Sequence, residues 1–265
     1  MLDVSALEPL LRAALAEDVG PGDVTSEALV PEGATATAVI VAKAEGVLAG
    51  VAVSAEVLRL AGAHATALMM DGDRVVAGDT ILEADGDARA LLAGERTALN
   101  FLIRLSGIAT LTARFVSAVS GTGARILDTR KTTPGLRVLE RHAVAMGGGE
   151  NHRFGLYDRV LVKENHLAFG AGLEGLPDAV MEAESLDDFR RARDAGAAVV
   201  MLDDFTPDQV AEACREKGDA EIEVSGGVTL DNIRAYAEAG ADRISIGALT
   251  HSAPALDLSM RVSPS

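Results

Sequence analysis

The second half of the chain repeats one pattern: a short, continuous apolar run that breaks off into polar side chains or glycine. Seven such runs occur, ARILDTRKT over 124–132, VAMGGGENHR ending at Arg153, RVLVKENH ending at His166, DAVMEAES around Glu182, AAVVMLDD ending at Asp204, EIEVSGG ending at Gly227 and DRISIGALTH ending at His251. A strand covered on both faces reads as unbroken apolar residues, and in a β/α barrel its C-terminal tip opens onto the catalytic face. Stretches of helical period, such as LDDFRRARDAG and TLDNIRAYAEAG, separate the later runs. That alternation predicts parallel strands joined by right-handed helical crossovers.

The first hundred or so residues follow a different rhythm. Apolar positions at helical spacing over 6–17 sit behind Ser5, a candidate N-cap, and stop at Gly20, Pro21 and Gly22. Strand-type runs follow over 34–42, 47–49, 65–70 and 80–84, interrupted by a helix over 53–61 and the turn DGDRVVAGD. From 88 to about 120, Leu91, Leu92, Leu99, Leu102, Ile103, Leu111 and Phe115 recur mostly at helical intervals. The pattern predicts an α+β domain with a bridging helix over 1–109 and an α/β-barrel domain over 110–265.

Composition narrows the possible partners. The 265 residues are 48% hydrophobic and 24% charged, an ordinary globular balance, with a net charge of −16. Such a chain is not expected to bind nucleic acid or an anionic membrane, since both need a basic face. One cysteine, Cys214, cannot form an intrachain disulfide, which favours a reducing, cytoplasmic setting. The first twenty residues carry acidic groups and no long apolar core, so they do not read as a signal peptide. Against this acidic background, cations at the strand tips are the informative residues.

Five clusters carry candidate chemistry. In DTRKTTPGLR, Arg130 and Lys131 are adjacent, so both can serve one ligand only if the strand has already ended. In GGGENHR, three glycines free the backbone for close approach, and His152 and Arg153 supply a tunable donor and a planar fork suited to carboxylate. Lys163, with Asn165 and His166, follows a buried-type run and can bind an anion or form a Schiff base. Glu182 and Asp203 end successive strands and can hold Mg²⁺, bind ribose hydroxyls or neutralise Lys131 or Lys163. Ser225, Gly226, Gly227 and Gly247 lie in the last two tip loops, where barrels of this kind recurrently hold phosphate.

Taken together, EDVGPGDVTSEAL, GVLAG, GERTALNFLIRLSGIAT, TRKTTPGLR, GGGENHR, VLVKENH, MLDDF, EVSGGVTLDNI and SIGALTHSAPALDLSM resemble the quinolinate phosphoribosyltransferase family almost end to end. The resemblance implies an incomplete, open α/β barrel of about seven strands beside an N-terminal α+β domain, working as a homodimer with shared active sites. It implies transfer of a phosphoribosyl group from phosphoribosyl pyrophosphate to quinolinate with Mg²⁺ and decarboxylation. Carried over by position, Arg130, His152 and Arg153 would hold the carboxylates of quinolinate, with Arg96 reaching in from the partner. Lys131 and Lys163 would lie between the two substrates, Glu182 and Asp203 would face the ribose and metal, and Asn165, Ser225, Gly226, Gly227 and Gly247 would bind the phosphorylated sugar.

Three positions depart from that family pattern. Asp204 stands where the family usually has Asn, the strand Val180 to Glu184 has lost one acidic position, and only LAFGAGLEGLPDA links KENH to that strand. Other readings of the same residues are a lysine-dependent aldolase using Lys163, a phosphoribosyltransferase for another aromatic acid, and a non-catalytic metabolite-binding paralogue.

Overall fold

A computed structural model describes residues 2–163, 166 and 179–265. The chain forms two compact units, one of residues 1–111, 138–147 and 253–265, the other of residues 112–137 and 148–252. The first unit is discontinuous in sequence, whereas the sequence-based boundary at 109 is a single cut. Two later segments return to the first unit because their partners lie there.

The first unit opens with a 3₁₀ turn, Ser5–Leu7, running into α1 (Glu8–Val19). Ser5 lies inside the turn rather than capping it, and Asp3 Oδ1, just ahead of the turn, accepts the N–H groups of Ser5 and Ala6 at 3.1 and 3.3 Å. After α2 (Val24–Leu29) come β1 (Thr35–Ala42), β2 (Gly46–Val47), α3 (Val51–Ala61), β3 (His64–Ala67), β4 (Arg74–Val75), β5 (Thr80–Asp87) and α4 (Ala88–Ala118). In β1, Ala36, Ala38, Ile40 and Ala42 are buried at every second position, which is why one sheet face becomes core. The four-stranded antiparallel sheet has the order β12-β1-β5-β3, where β12 (Leu258–Pro264) is supplied by the far end of the sequence, with Met260 opposite Ile40.

By length and composition α4 could cross a membrane. Its apolar stripe, Leu91, Leu99, Leu102, Leu105 and Ile108, is instead buried in protein. Ser106 fastens it further, accepting the Ala49 N–H at 3.1 Å and donating to the Ala49 carbonyl at 3.2 Å. This is the core helix of the first unit.

The second unit holds a six-stranded sheet of β6 (Arg125–Leu127), β7 (Leu161–Val162), β8 (Val180–Ala183), β9 (Val199–Asp203), β10 (Glu221–Ser225) and β11 (Arg243–Ser245). Every pairing is parallel, in the order β6-β11-β10-β9-β8-β7, so the first strand closes against the last while β7 remains at an edge. Helices α6 (Leu186–Asp194), α7 (Pro207–Glu216) and α8 (Ile233–Glu238) alternate with the strands. Leu161, Val180, Val199 and Met201 form a buried cluster.

The run 144–146 is not a strand. It ends α5 (Arg137–Met146), whose Leu139, Ala143 and Val144 are buried at helical spacing, and the glycines that follow terminate a helix. What survives of the expected seventh strand is a single parallel bridge between Glu150 and Leu127. The architecture is an open α/β barrel. The unusually short 167–179 crossover lies almost wholly outside the described residues.

Candidate active site

Beyond β6 the backbone leaves the strand at once, so Arg130 and Lys131 need not point to opposite faces. The Lys131 N–H donates to Thr129 Oγ1 at 3.1 Å, the Thr132 N–H to the Arg130 carbonyl at 3.0 Å, and Gly135 takes a left-handed φ of 81°. The Thr250 hydroxyl holds the Lys131 carbonyl at 2.7 Å. A side chain at Gly247 would begin 2.9 Å from Lys131 Cδ, so the missing Cβ at the β11 tip is what lets the lysine stem cross there.

The loop after α5 is pinned to that turn. Asp128, fully buried, accepts the His152 N–H at 2.7 Å, and His152 Nδ1 accepts the Arg153 N–H at 2.7 Å. Arg137 links the two loops through Thr132 Oγ1 at 3.0 Å, the Phe154 carbonyl at 2.9 Å and the face of the Phe154 ring. Partial burial, and then the charge of Arg130, pull the Arg153 guanidinium below its ordinary range. Two permanent cations are therefore held together despite their repulsion.

The opposite wall is acidic. Lys163 Nζ lies 2.5 Å from Glu182 Oε1, the lysine 46% exposed and the glutamate 10%. Asp203 ends the neighbouring strand, paired in register with Ser225. Burial, and then the carboxylates of Glu182 and Asp204, push the Asp203 carboxyl up, while Lys163 and the Ser225 hydroxyl oppose the shift.

Asp204 has a left-handed φ of 58°, and its N–H donates to the Ser225 carbonyl at 3.0 Å. Asp and Asn tolerate that conformation better than most residues, so the exchange of one for the other keeps the turn. Gly226, itself at φ 88°, leaves the room: a Cβ there would fall 2.1 Å from Asp204 Oδ1 and 2.9 Å from its backbone nitrogen. The β9 and β10 tips thus approach more closely than any side chain at 226 would allow.

These tips enclose a cavity of about 480 Å³, lined on one side by Arg130, Lys131, His152 and Arg153 and on the other by Lys163, Glu182 and Asp203, with Ser225, Gly226, Gly227 and Gly247 completing it. Twelve of the thirteen residues singled out in the sequence are described, and eleven of those line this cavity. Arg96 does not: it is exposed on α4, in the first unit. Asn165 lies outside the described residues.

Sequence reasoning passed over Asp128, Arg137 and Glu223. Glu223 is fully buried; its Oε1 lies 3.2 Å from His152 Nε2 and its Oε2 lies 3.1 Å from Arg243 Nε, while the Ser245 hydroxyl donates to Oε1. Burial alone would raise its carboxyl, but the nearby His152 ring first, then the charge of Arg243 and the Ser245 hydroxyl, hold it below the usual range. The alternation of EIEVS, with Glu221, Glu223 and Ser225 on one face, was the available signal.

An open parallel barrel whose strand tips set paired guanidiniums against paired carboxylates has the makings of an enzyme for strongly anionic substrates. The comparisons narrow that class. Residues 23–106 match the quinolinate phosphoribosyl transferase N-terminal domain and residues 108–261 match its C-terminal domain. The chain is 43% identical over 270 residues to a probable nicotinate-nucleotide pyrophosphorylase [carboxylating] of Bacillus subtilis, covering 97% of this chain and 93% of that one. It is 39% identical to the nicotinate-nucleotide pyrophosphorylase [carboxylating] of Mycobacterium leprae, covering 97% and 98%. Among solved structures, NadC from Streptococcus pyogenes superposes with a TM-score of 0.93 at 37% identity, covering 100% of this chain and 99% of that one. The nicotinate-nucleotide pyrophosphorylase from Francisella tularensis gives 0.93 at 36%, covering 99% and 98%. The chain belongs to the quinolinate phosphoribosyltransferase family.

Proposed function

We propose that this chain is the pentosyltransferase of NAD biosynthesis that joins quinolinate to phosphoribosyl pyrophosphate, giving nicotinate mononucleotide, pyrophosphate and carbon dioxide. The observation that carries this reading is the divided cavity. Arg130 and Arg153 are two planar forks held together against their own repulsion, which suits a ligand bearing two carboxylates. His152 walls the same end, and Lys131 and Lys163 flank the space toward the sugar.

The pyridine nitrogen attacks the anomeric carbon as the bond to pyrophosphate breaks, so positive charge grows on the ribose. Glu182 and Asp203 face that charge, while Lys131 and Lys163 face the negative charge of the leaving group. No general base is needed, because the nitrogen carries a lone pair and no proton. Once alkylated, the ring is an electron sink. The adjacent carboxylate leaves as carbon dioxide, its bonding electrons pass to the ring carbon, and a proton from solvent fills the vacated position. Residues that orient the ring and exclude water suffice for this second step.

Glu182 and Asp203 also suit Mg²⁺, which binds through one or two carboxylates together with substrate phosphates rather than in an all-protein cage. The raised carboxyl of Asp203 is consistent with this, since a cation would relieve its like-charged neighbours. When bound, the ion would offset charge on pyrophosphate. The tip loops at Ser225, Gly226, Gly227 and Gly247, with Asn165, would hold the 5′-phosphate. Arg96 would complete the acid site across a homodimer, in the cytoplasm, where the free thiol of Cys214 is stable.

The test is incubation with phosphoribosyl pyrophosphate and Mg²⁺ plus either quinolinate or nicotinate, following mononucleotide and released carbon dioxide. Product from quinolinate alone, with one carbon dioxide per mononucleotide, is expected. Product from nicotinate without carbon dioxide would reassign the acid.

A further inference from the structure

We propose that Glu223 is a positioning residue for recognition of the acid: its buried carboxylate holds the His152 ring protonated on Nε2, leaving Nδ1 to accept the Arg153 backbone N–H and so fixing where the Arg153 guanidinium begins. The proposal rests on the reading above that Arg153 grips a carboxylate of the acid substrate.

The chain of contacts has a fixed direction. A backbone N–H can only donate, so the 2.7 Å contact from Arg153 N requires a lone pair, not a proton, on His152 Nδ1. The ring proton of the neutral imidazole is then on Nε2, which lies 3.2 Å from Glu223 Oε1. A carboxylate that close favours a proton on Nε2 through its charge, although the two groups are not aligned as a hydrogen bond. His152 is itself tied at its backbone, where its N–H donates to Asp128 Oδ1 at 2.7 Å. Ring and backbone are both held, and Arg153 follows immediately.

A glutamate at 223 needs such an explanation because a fully buried carboxylate is costly unless it is paired, and its Oε2 has the charge of Arg243 beside it but no hydrogen bond. Its two oxygens do separate work. Oε2 faces Arg243, whereas Oε1 faces His152 and accepts from Ser245. Arg243 and Ser245 both belong to β11, and the His152 ring carries the contact from Glu223 to the loop that bears Arg153. The sequence also starts the cationic loop at Gly147, Gly148 and Gly149, and Gly148 takes a left-handed φ of 86°. A backbone that free offers no rigidity of its own, so Arg153 depends on fixed contacts for its position.

Two measurements test this. Histidine ¹⁵N spectra of the full-length wild-type protein at neutral pH, with His152 assigned through its backbone, should show a protonated Nε2 and an unprotonated Nδ1. A proton on Nδ1, or on both nitrogens, overturns the proposal, and this reading needs no folded variant. In steady-state kinetics, Glu223→Gln should raise KM for quinolinate about tenfold, in line with other residues that orient a ligand-binding side chain, and change KM for phosphoribosyl pyrophosphate less than about twofold. An equal rise in both, or a lower melting temperature with both unchanged, overturns it in favour of a structural role. No turnover of quinolinate by the wild type would overturn the functional reading and this proposal with it. Turnover with the wrong tautomer would overturn the proposal alone.

Discussion

On one side of the cavity Arg130 and Arg153 lie close enough for the first to disfavour the charge of the second, while on the other Lys163 already has Glu182 at 2.5 Å. The first wall concentrates like charge, whereas the second, acidic overall, carries a counter-ion of its own in Lys163. Like charges kept together gain by admitting an anion, so the arginine wall is built to bind. An ion pair with a half-exposed lysine is worth at most about 1 kcal/mol, so the second wall can exchange partners cheaply as charge develops on the substrates. Ground-state affinity and transition-state stabilisation are therefore expected to divide between the walls.

The strongest test of that division is Asp203→Asn. Turnover should fall about 100-fold, the order seen when one preorganised charge-stabilising group is lost, with little change in KM for quinolinate. Unchanged turnover accompanied by a large drop in melting temperature would make Asp203 a structural counter-ion instead. Because Asp204 can stand in for its neighbour, the double change Asp203→Asn with Asp204→Asn should be measured alongside and should be more severe.

On the arginine wall the expected effect is smaller and of the other kind. Arg153→Lys keeps the charge and loses the fork, so KM for quinolinate should rise about tenfold with KM for phosphoribosyl pyrophosphate nearly unaffected. Equal weakening of both substrates would show that the walls do not divide the work as described.

Arg96 offers a third test, of whether the arginine wall is complete within one chain. Mixing Arg96→Ala with Lys131→Ala subunits should restore about a quarter of wild-type activity, since half the dimers formed at random are mixed and each has one intact site of two. No recovery after verified exchange would return Arg96 to its own subunit or to a structural role.

The smallest effect is on stability. The Asp203 carboxyl is raised in the folded state, so its contribution is fully present below the unfolded carboxylate value, about 3.9, and is lost as pH rises through the raised folded value. Asn mimics the protonated form. The melting temperature of Asp203→Asn should therefore match the wild type near pH 3 and exceed it slightly at pH 7; a variant less stable at pH 7 would reverse the sign.

What was legible beforehand follows from how each feature is encoded. Strands β8 to β11 could be read because burial on both faces writes itself as consecutive apolar residues, and eleven residues that line the cavity stand out by their position at the tips. The run at 144–146 misled because glycines end helices as readily as they follow strands, and three apolar residues are too few to show a period. Glu223 was hidden for a different reason. Its partners His152, Arg243 and Ser245 come from distant parts of the chain, and in sequence a buried acidic residue looks like the solvated half of an alternating strand. The pairing of β12 with β1 is equally nonlocal, with Leu258 opposite Ala42.

That last strand has a consequence for the order in which the protein can be assembled during synthesis. All six parallel strands have been made by residue 245, but β1 keeps an unpaired edge until residues 258–264 emerge. The unit that begins first is thus the one finished last, against the usual N-terminal-first progression, and its open edge is exposed to other nascent chains in the interval. Termination at residue 252 should yield a protein whose parallel sheet resists limited proteolysis while residues 35–87 are cut readily. Equal resistance of both would show that the antiparallel sheet closes without its final strand.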